Sequence, residues 1–390
     1  MPAPSPAVLD WLARLVGFDT TSRDSNLPLV EAVAEHARSL GLDPHLFPNA
    51  DGTKAALVVT VPDAAGSTDG GIMLSGHSDV VPVDGQDWTS DPFTLVERDG
   101  RVFGRGTSDM KGFDAVVVAA LADLVAQPLR EPVHLALSYD EEVGCIGAQP
   151  LVDGMRSVGL APRVCFVGEP TSMRMIRGHK SINLATVTLT GVAAHSSLTD
   201  QGVNAIEHAA SVVRYWRGRS DAWRADGPFD AAYPIPHTTG SVNLIEGGNG
   251  VNIIPARCSV TLEFRSIGTP ADDRREVEAL IGYCREVEAT MRAESPEASV
   301  VVDVQTMTAG LDTPVDAPAV LLGQQLGLAV QDDKVTYGTE AGIYAAAGIS
   351  TVVCGPGDIA QAHKADEFIE LAQLAQCEAF IGRLIAHVRA

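Results

Sequence analysis

Apolar positions along the chain change their period twice. Val8, Leu9, Leu12, Leu15 and Val16 recur at helical spacing, as do Leu29, Val30, Val33, Ala37 and Leu40. Continuous apolar runs then predict buried strands at about 54–62 and 71–77, an Ala- and Val-rich helix near 113–126, and strands near 133–139 and 163–168. Helices alternating with unbroken apolar strands are the βαβ signature of a sheet covered on both faces. Near 179 the period falls to two. Ile182, Leu184, Thr186, Thr188 and Thr190 share one face of a strand, and Ala185, Val187 and Leu189 the other. A helix follows from about 203 to 216, then a strand near 240–246. Val260, Leu262 and Phe264 next alternate with Thr261, Glu263 and Arg265. A charged helix near 271–292 and a short strand at 300–304 complete a βαββαβ order, that of a ferredoxin-like sheet with one face covered. The first texture resumes after Gly310, reaches an apolar run STVVC and a GPG turn at 355–357, and closes on an amphipathic helix near 368–388. The expected fold class is therefore α/β. A main domain with a mixed, mostly parallel doubly wound sheet (1–178 and 309–390) carries an inserted α+β ferredoxin-like domain (179–308).

Length and charge narrow this picture. A chain of 390 residues exceeds one simple core, which agrees with two domains. The composition is 45% hydrophobic, but no apolar run is long enough to span a bilayer. A formal net charge of −22 argues against nucleic acid and anionic membranes as partners. The start, MPAPSPAVLDWLARL, has no basic segment leading into an apolar one, so export is not expected. Six cysteines show no CxxC spacing, which predicts reduced structural thiols and a cytoplasmic protein.

The chemistry is concentrated in five short islands. They hold His77 in SGHSDVVP, Asp109 in GRGTSDMKG, Glu142 in YDEEVG, Glu169 in VGEP and His363 in QAHKADEF. Singly, each has an ordinary reading: a hydrogen-bonded His, or an acidic solvated turn. Together they differ, because four of the five follow apolar runs that read as buried strands, and open α/β sheets bind ligands at the carboxyl ends of strands. Two imidazoles and three carboxylates form a ligand set for two divalent cations sharing one carboxylate. Three formal negatives against four positives leave room for one deprotonated water, and water on zinc ionises near pH ~7. Asp109 is the candidate bridge, in a turn where Gly104, Gly106 and Gly112 allow close backbone approach. Asp79, two residues past His77, can hold the second imidazole nitrogen. Glu141 and Glu142 are adjacent, so one can bind metal while the other serves as a general base.

These strings, with GEPTSM at 168–173, HKS at 179–181, AHSS and GVNAIE within 194–207, GTEA at 338–341 and GPGDIAQAHKADEFI at 355–369, resemble the M20 family of dinuclear zinc amidohydrolases and peptidases. Within it, they are most similar to the acetylornithine deacetylases. The resemblance runs nearly end to end. It implies two divalent metal ions, Zn2+ or else Co2+. His77 and Glu169 would complete one site, Glu142 and His363 the other, and Asp109 would bridge. It further implies Asp79 as orienter of His77, Glu141 as general base, and a cis peptide at Asp109–Met110, a costly bond for a non-proline residue. His195 would donate to the developing oxyanion from the second subunit of a homodimer formed through residues 179–308, with that domain acting also as a lid. Asn252, Arg265 and Thr339 match substrate-contacting positions, and Arg suits a carboxylate. For Asn252 and Thr339 a structural turn or helix cap explains the residue equally well. The implied substrate is a small N-acyl amino acid, N2-acetyl-L-ornithine foremost. Desuccinylase, aminoacylase and dipeptidase activities share the same ligands. A non-catalytic, metal-stabilised binding protein would have had no need of Glu141.

Overall fold

The computed structural model of the protein describes residues 3–389. Two compact units divide the chain. One comprises Met1–Gly178, Leu311–Asp332 and Thr339–Ala390, and the other His179–Gly310 with Asp333–Gly338.

The first unit is built on a six-stranded sheet in the order His45–Pro48, Ala55–Val61, Val133–Ser138, Ile72–His77, Val164–Pro170, Ser350–Gly355. The last four strands run parallel, and the first two continue the sheet antiparallel. Strands 55–61, 72–77, 133–138 and 164–170 are buried at every position, which is why their sequences show no alternation. Helix Lys111–Val125 packs against the sheet and is buried nearly all round, because helices Pro6–Val16 and Leu371–Val388 lie against it too. Pro6–Val16 starts on Ser5, whose hydroxyl accepts the Val8 N–H, with Pro6 in the first turn where no donor is needed. The Phe166 and Phe380 rings, 5.3 Å apart, join the sheet to the C-terminal helix. That helix begins later than its pattern suggests. Residues Phe368–Glu370 form a strand paired antiparallel with Arg101–Phe103, because Ile369 is buried there and Phe368 meets Phe103 at 5.5 Å. Among the described residues, no helix is long and apolar enough to cross a membrane.

The second unit is a four-stranded antiparallel sheet in the order Thr239–Gly247, Arg257–Arg265, Ile182–Thr190, Ser299–Thr308. Helices Ala205–Asp226 and Pro270–Glu294 pack on it. Ala185, Val187, Leu189, Val260, Leu262 and Phe264 form the covered face. Asn204 caps the first helix through the N–H groups of Ile206 and Glu207, and a Thr269/Asp272 capping box opens the second. The first helix runs ten residues beyond its expected end. Trp216 and Trp223, two turns apart, both pack on Phe264, the first edge-on at 5.6 Å and the second stacked at 5.8 Å, and this packing outweighs the polar stretch between them. The last strand is also longer than expected, since a bulge near Gln305 interrupts its alternation.

Candidate metal centre

Five elements of the first unit deliver the five islands to one place. The strand Ile72–His77 ends on His77, and Glu169 sits near the end of the parallel strand Val164–Pro170. Asp140, Glu141 and Glu142 follow the strand Val133–Ser138 through a left-handed residue, Asp140 at φ 55°. Asp109 closes the Gly-rich turn before helix Lys111–Val125, and its peptide bond to Met110 is cis. His363 lies in the loop after the strand Ser350–Gly355.

Asp109 presents one oxygen to each imidazole. Its Oδ1 lies 3.1 Å from His77 Nε2 and its Oδ2 lies 3.3 Å from His363 Nε2. Glu169 Oε1 is 3.9 Å from His77 Nε2, and Glu142 Oε2 is 2.9 Å from His363 Nε2. Two donor groups therefore flank a shared carboxylate: His77 with Glu169, and His363 with Glu142. Donor atoms of His77, Asp109 and Glu142 lie within 4.8 Å of one another, as do those of His77, Glu141 and Glu169. Glu142 Oε1 is buried with no hydrogen-bond partner among the described residues, as a metal-facing oxygen would be. The donor chemistry and this orphaned atom both fit a pair of divalent cations.

Electrostatics shows the same demand for cations. Burial, reinforced by the neighbouring Glu142, Glu340 and Asp109, pushes Glu141 well above the usual carboxylate range. Burial and then the Asp109 charge push Glu142 up to about 7. Glu169 is raised well above its ordinary value by burial, then by Asp109 and Glu141. Against these acids, His363 is raised to about 10 by Asp109 and Glu142. Burial alone would lower His77, but Asp109 and Asp79 outweigh it and hold the imidazole well above its usual range.

The expectation for Asp79 needs refinement. Its backbone carbonyl, at 2.9 Å, is the nearer partner of His77 Nδ1, and its carboxylate stands 3.6 Å away. The carboxylate is engaged elsewhere. Oδ1 accepts the Glu141 N–H at 3.0 Å, and Oδ2 accepts the Glu142 N–H at 3.3 Å and the Ser22 hydroxyl at 2.7 Å. Asp79 thus meets the imidazole chiefly through its main chain, with its carboxylate close by, and holds the acidic pair through its side chain. Glu141 Oε1 accepts from the Cys145 thiol at 3.3 Å. All six cysteines are buried and unpaired.

Thr339, also in the first unit, is buried, and its hydroxyl accepts the Ala341 N–H at 3.1 Å, so it caps a short helix. In the second unit His195 is exposed and its Nδ1 pairs with the Ser197 hydroxyl at 2.8 Å. Asn252 is on the adjacent segment, where its carbonyl accepts the Ser196 N–H at 3.0 Å. Arg265 ends its strand half-buried, with Nε paired to Glu263. Sequence reading missed a buried relay behind the centre. Ser75 donates to the Tyr344 hydroxyl at 3.0 Å, and Tyr344 donates to Glu340 at 2.9 Å, with burial raising Glu340 to about 7. Ser75 lies two residues before His77 on the same strand, but only the fold brings Tyr344 to it.

Fold and donor set together define a metal-dependent hydrolase, and comparison with known proteins agrees. The sequence profile of peptidase family M20/M25/M40 matches residues 73–387, and the chain belongs to this family. An acetylornithine deacetylase of Myxococcus xanthus is 34% identical over 386 residues, covering 98% of this chain and 97% of its own. One from Proteus mirabilis (strain HI4320) is 33% identical over 370 residues, covering 94% and 91%. Among solved structures, a tripeptidase from Staphylococcus aureus superposes with a TM-score of 0.72 at 18% identity, covering 98% of each chain. An M20 metallo-carboxypeptidase from Sulfolobus solfataricus gives a TM-score of 0.70 at 16% identity, covering 98% and 99%. These two share the fold.

Proposed function

We propose that this hydrolase cleaves the amide of an N-acyl amino acid, with N2-acetyl-L-ornithine as substrate and ornithine and acetate as products. The carrying observation is Asp109, one oxygen toward each of two imidazoles that are themselves backed by Glu169 and Glu142. His77 and Glu169, with Asp109, would hold one cation, and Glu142 and His363, with Asp109, the other. Bound Zn2+ or Co2+ would polarise the scissile carbonyl and make water acidic at neutral pH. Curated relatives about one-third identical across nearly their whole length, named acetylornithine deacetylase, supply the choice of substrate.

The chain's own residues then divide the work. Glu141 takes the proton from the attacking water and returns it to the leaving nitrogen. Its low-dielectric surroundings raise its proton affinity toward that of the groups it serves. Asp79 fixes the Glu141 and Glu142 main chain, so the base keeps its aim while its neighbour is occupied. His195 of the partner subunit donates to the developing oxyanion, a contribution typically worth ~2.7–4 kcal/mol of barrier. Its Nδ1 is satisfied by Ser197, which leaves Nε2 for that task. Arg265 and Asn252 hold the substrate's α-carboxylate, and Thr339 is a further substrate contact. The second unit forms the homodimer. Its sheet has open edges, and the edge strand Thr239–Gly247 exposes Leu244 and Ile245.

Hydrolysis of acetylornithine, acetylmethionine, succinyl-diaminopimelate and a simple dipeptide, measured side by side, tests the substrate. The highest kcat/KM belongs to acetylornithine; a clear preference for any other member would replace this reading. Glu141→Gln is expected to lose ~10²–10⁴ of turnover while keeping its metal. Near-normal turnover in that variant would remove Glu141 from its role.

A further inference from the structure

Arg105 and Glu367 form an ion pair, Nη1 to Oε2 at 2.7 Å, with each side chain 1% exposed. Two charges so deeply buried cost several kcal/mol each unless their remaining hydrogen-bonding atoms are used. Apart from Arg105 Nε, which has no hydrogen-bond partner among the described residues, they are used, mostly on backbone. Glu367 Oε1 accepts the N–H of Ser108 at 2.8 Å and of Asp109 at 3.1 Å, and Oε2 accepts the N–H of Gly106 at 3.0 Å. One carboxylate therefore fixes the turn that presents the bridging residue. Arg105 works on the other loop. Its Nη1 donates to the Lys364 carbonyl at 3.3 Å. Its Nη2 donates to Gln86 Oε1 at 2.6 Å, and Gln86 Nε2 in turn donates to the His363 carbonyl at 3.2 Å. The guanidinium lies over the Trp88 ring, 5.0 Å from its centroid.

His363 needs this support. Its side chain is 53% exposed, and it stands outside any helix or strand at φ 63°, a left-handed conformation uncommon for a residue other than glycine. His77 has none of these difficulties, being inside a strand with Nδ1 held by the Asp79 carbonyl. We propose that Arg105 and Glu367, linked through Gln86, are positioning residues that set the distance between Asp109 and His363. They thereby set the metal affinity of the half-site formed by Asp109, Glu142 and His363 more than that of the half-site of His77 and Glu169, which they reach only through the shared Asp109. This rests on the two-cation reading of the centre. Neither residue touches substrate, and neither ligates.

The test uses the full chain, stripped of metal and titrated with Zn2+ by calorimetry, with total metal counted independently. Wild type is expected to take two ions per chain. Loss of a group that orients a ligand typically costs 10–100-fold in affinity. Glu367→Gln should therefore weaken the site of Glu142 and His363 by about that factor, and the other by less, through the shared Asp109. Arg105→Lys keeps a charge but loses the fork that reaches two oxygens, so it should weaken the same site. Gln86→Ala leaves the buried pair intact and folds regardless; it is expected to weaken that site by about tenfold or less. In a His363→Ala chain, adding Gln86→Ala should leave the remaining site unchanged. Equal weakening of both sites, or an unchanged titration for Gln86→Ala, overturns the clamp while the two-cation reading stands. A wild-type chain that takes only one ion overturns that reading, and the clamp with it.

Discussion

The two halves of the centre share Asp109 and a matching pair of donors, a histidine and a glutamate, but they stand on different ground. His77 and Glu169 come from parallel strands of the main sheet and are 1% and 6% exposed. Glu142 and His363 come from loops, and His363 is 53% exposed. His77 is paired with Ser138 of the neighbouring strand, and the strand bearing Glu169 is paired on both sides up to Val167, so the fold itself sets their geometry. A loop ligand has no ladder and takes its geometry from specific side chains, here Asp79 for Glu142 and Arg105, Glu367 and Gln86 around His363. The same chemistry is thus held once by architecture and once by local wiring.

Removing the shared element should have the largest effect. Asp109→Ala is expected to weaken both metal sites beyond the ~100-fold typical of losing an outer partner, and to abolish turnover. Metal analysis of the dialysed variant checks this, and retention of two ions would show that the halves are independent. Next come the two histidines compared as metal-free proteins by chemical denaturation. His77→Ala empties a fully buried position, so ~2–5 kcal/mol of stability should be lost. His363→Ala removes a half-exposed side chain and leaves no cavity, so it should cost less than His77→Ala. Equal costs would erase the distinction between strand and loop.

The smallest effect sharpens it. Without metal, His363 holds its proton up to about pH 10, and a cation must displace that proton. Affinity at the loop half-site should therefore rise about tenfold per pH unit as pH climbs toward 10, where one proton is exchanged for the metal. Below about pH 7, Glu142 is protonated as well, so two protons compete and the slope should steepen toward about a hundredfold per unit. Zn2+ titrations at a series of pH values read this slope. A constant slope through pH 7 would show that Glu142 releases its proton elsewhere.

Much of this was legible in the chain, for identifiable reasons. Strands buried on both faces have to be apolar throughout, so GIML and RVCFV announced both themselves and the ligands at their ends. The second unit showed its covered face through alternation at Val260, Leu262 and Phe264. What escaped was tertiary. The helix end at Asp226 depends on Trp223 meeting Phe264, and the strand Phe368–Glu370 depends on Arg101–Phe103 lying beside it. Arg105 and Glu367 were inside islands already singled out, but an arginine in a turn and a second acid after HKA carry no sign of a partner 262 positions away. Asp79 was read as a carboxylate serving an imidazole; its carbonyl lies nearer to His77 Nδ1, at 2.9 Å, than its carboxylate, at 3.6 Å.

The exposure of His363 has a kinetic corollary. An exposed side chain changes rotamer in picoseconds to nanoseconds, while a donor at the end of a buried strand can let go only when the sheet itself opens. On the proposed two-cation reading, the ion held by His363 should exchange with solution faster than the one held by His77. A brief exposure to chelator would catch the chain half-loaded, with its remaining ion on the side of His77.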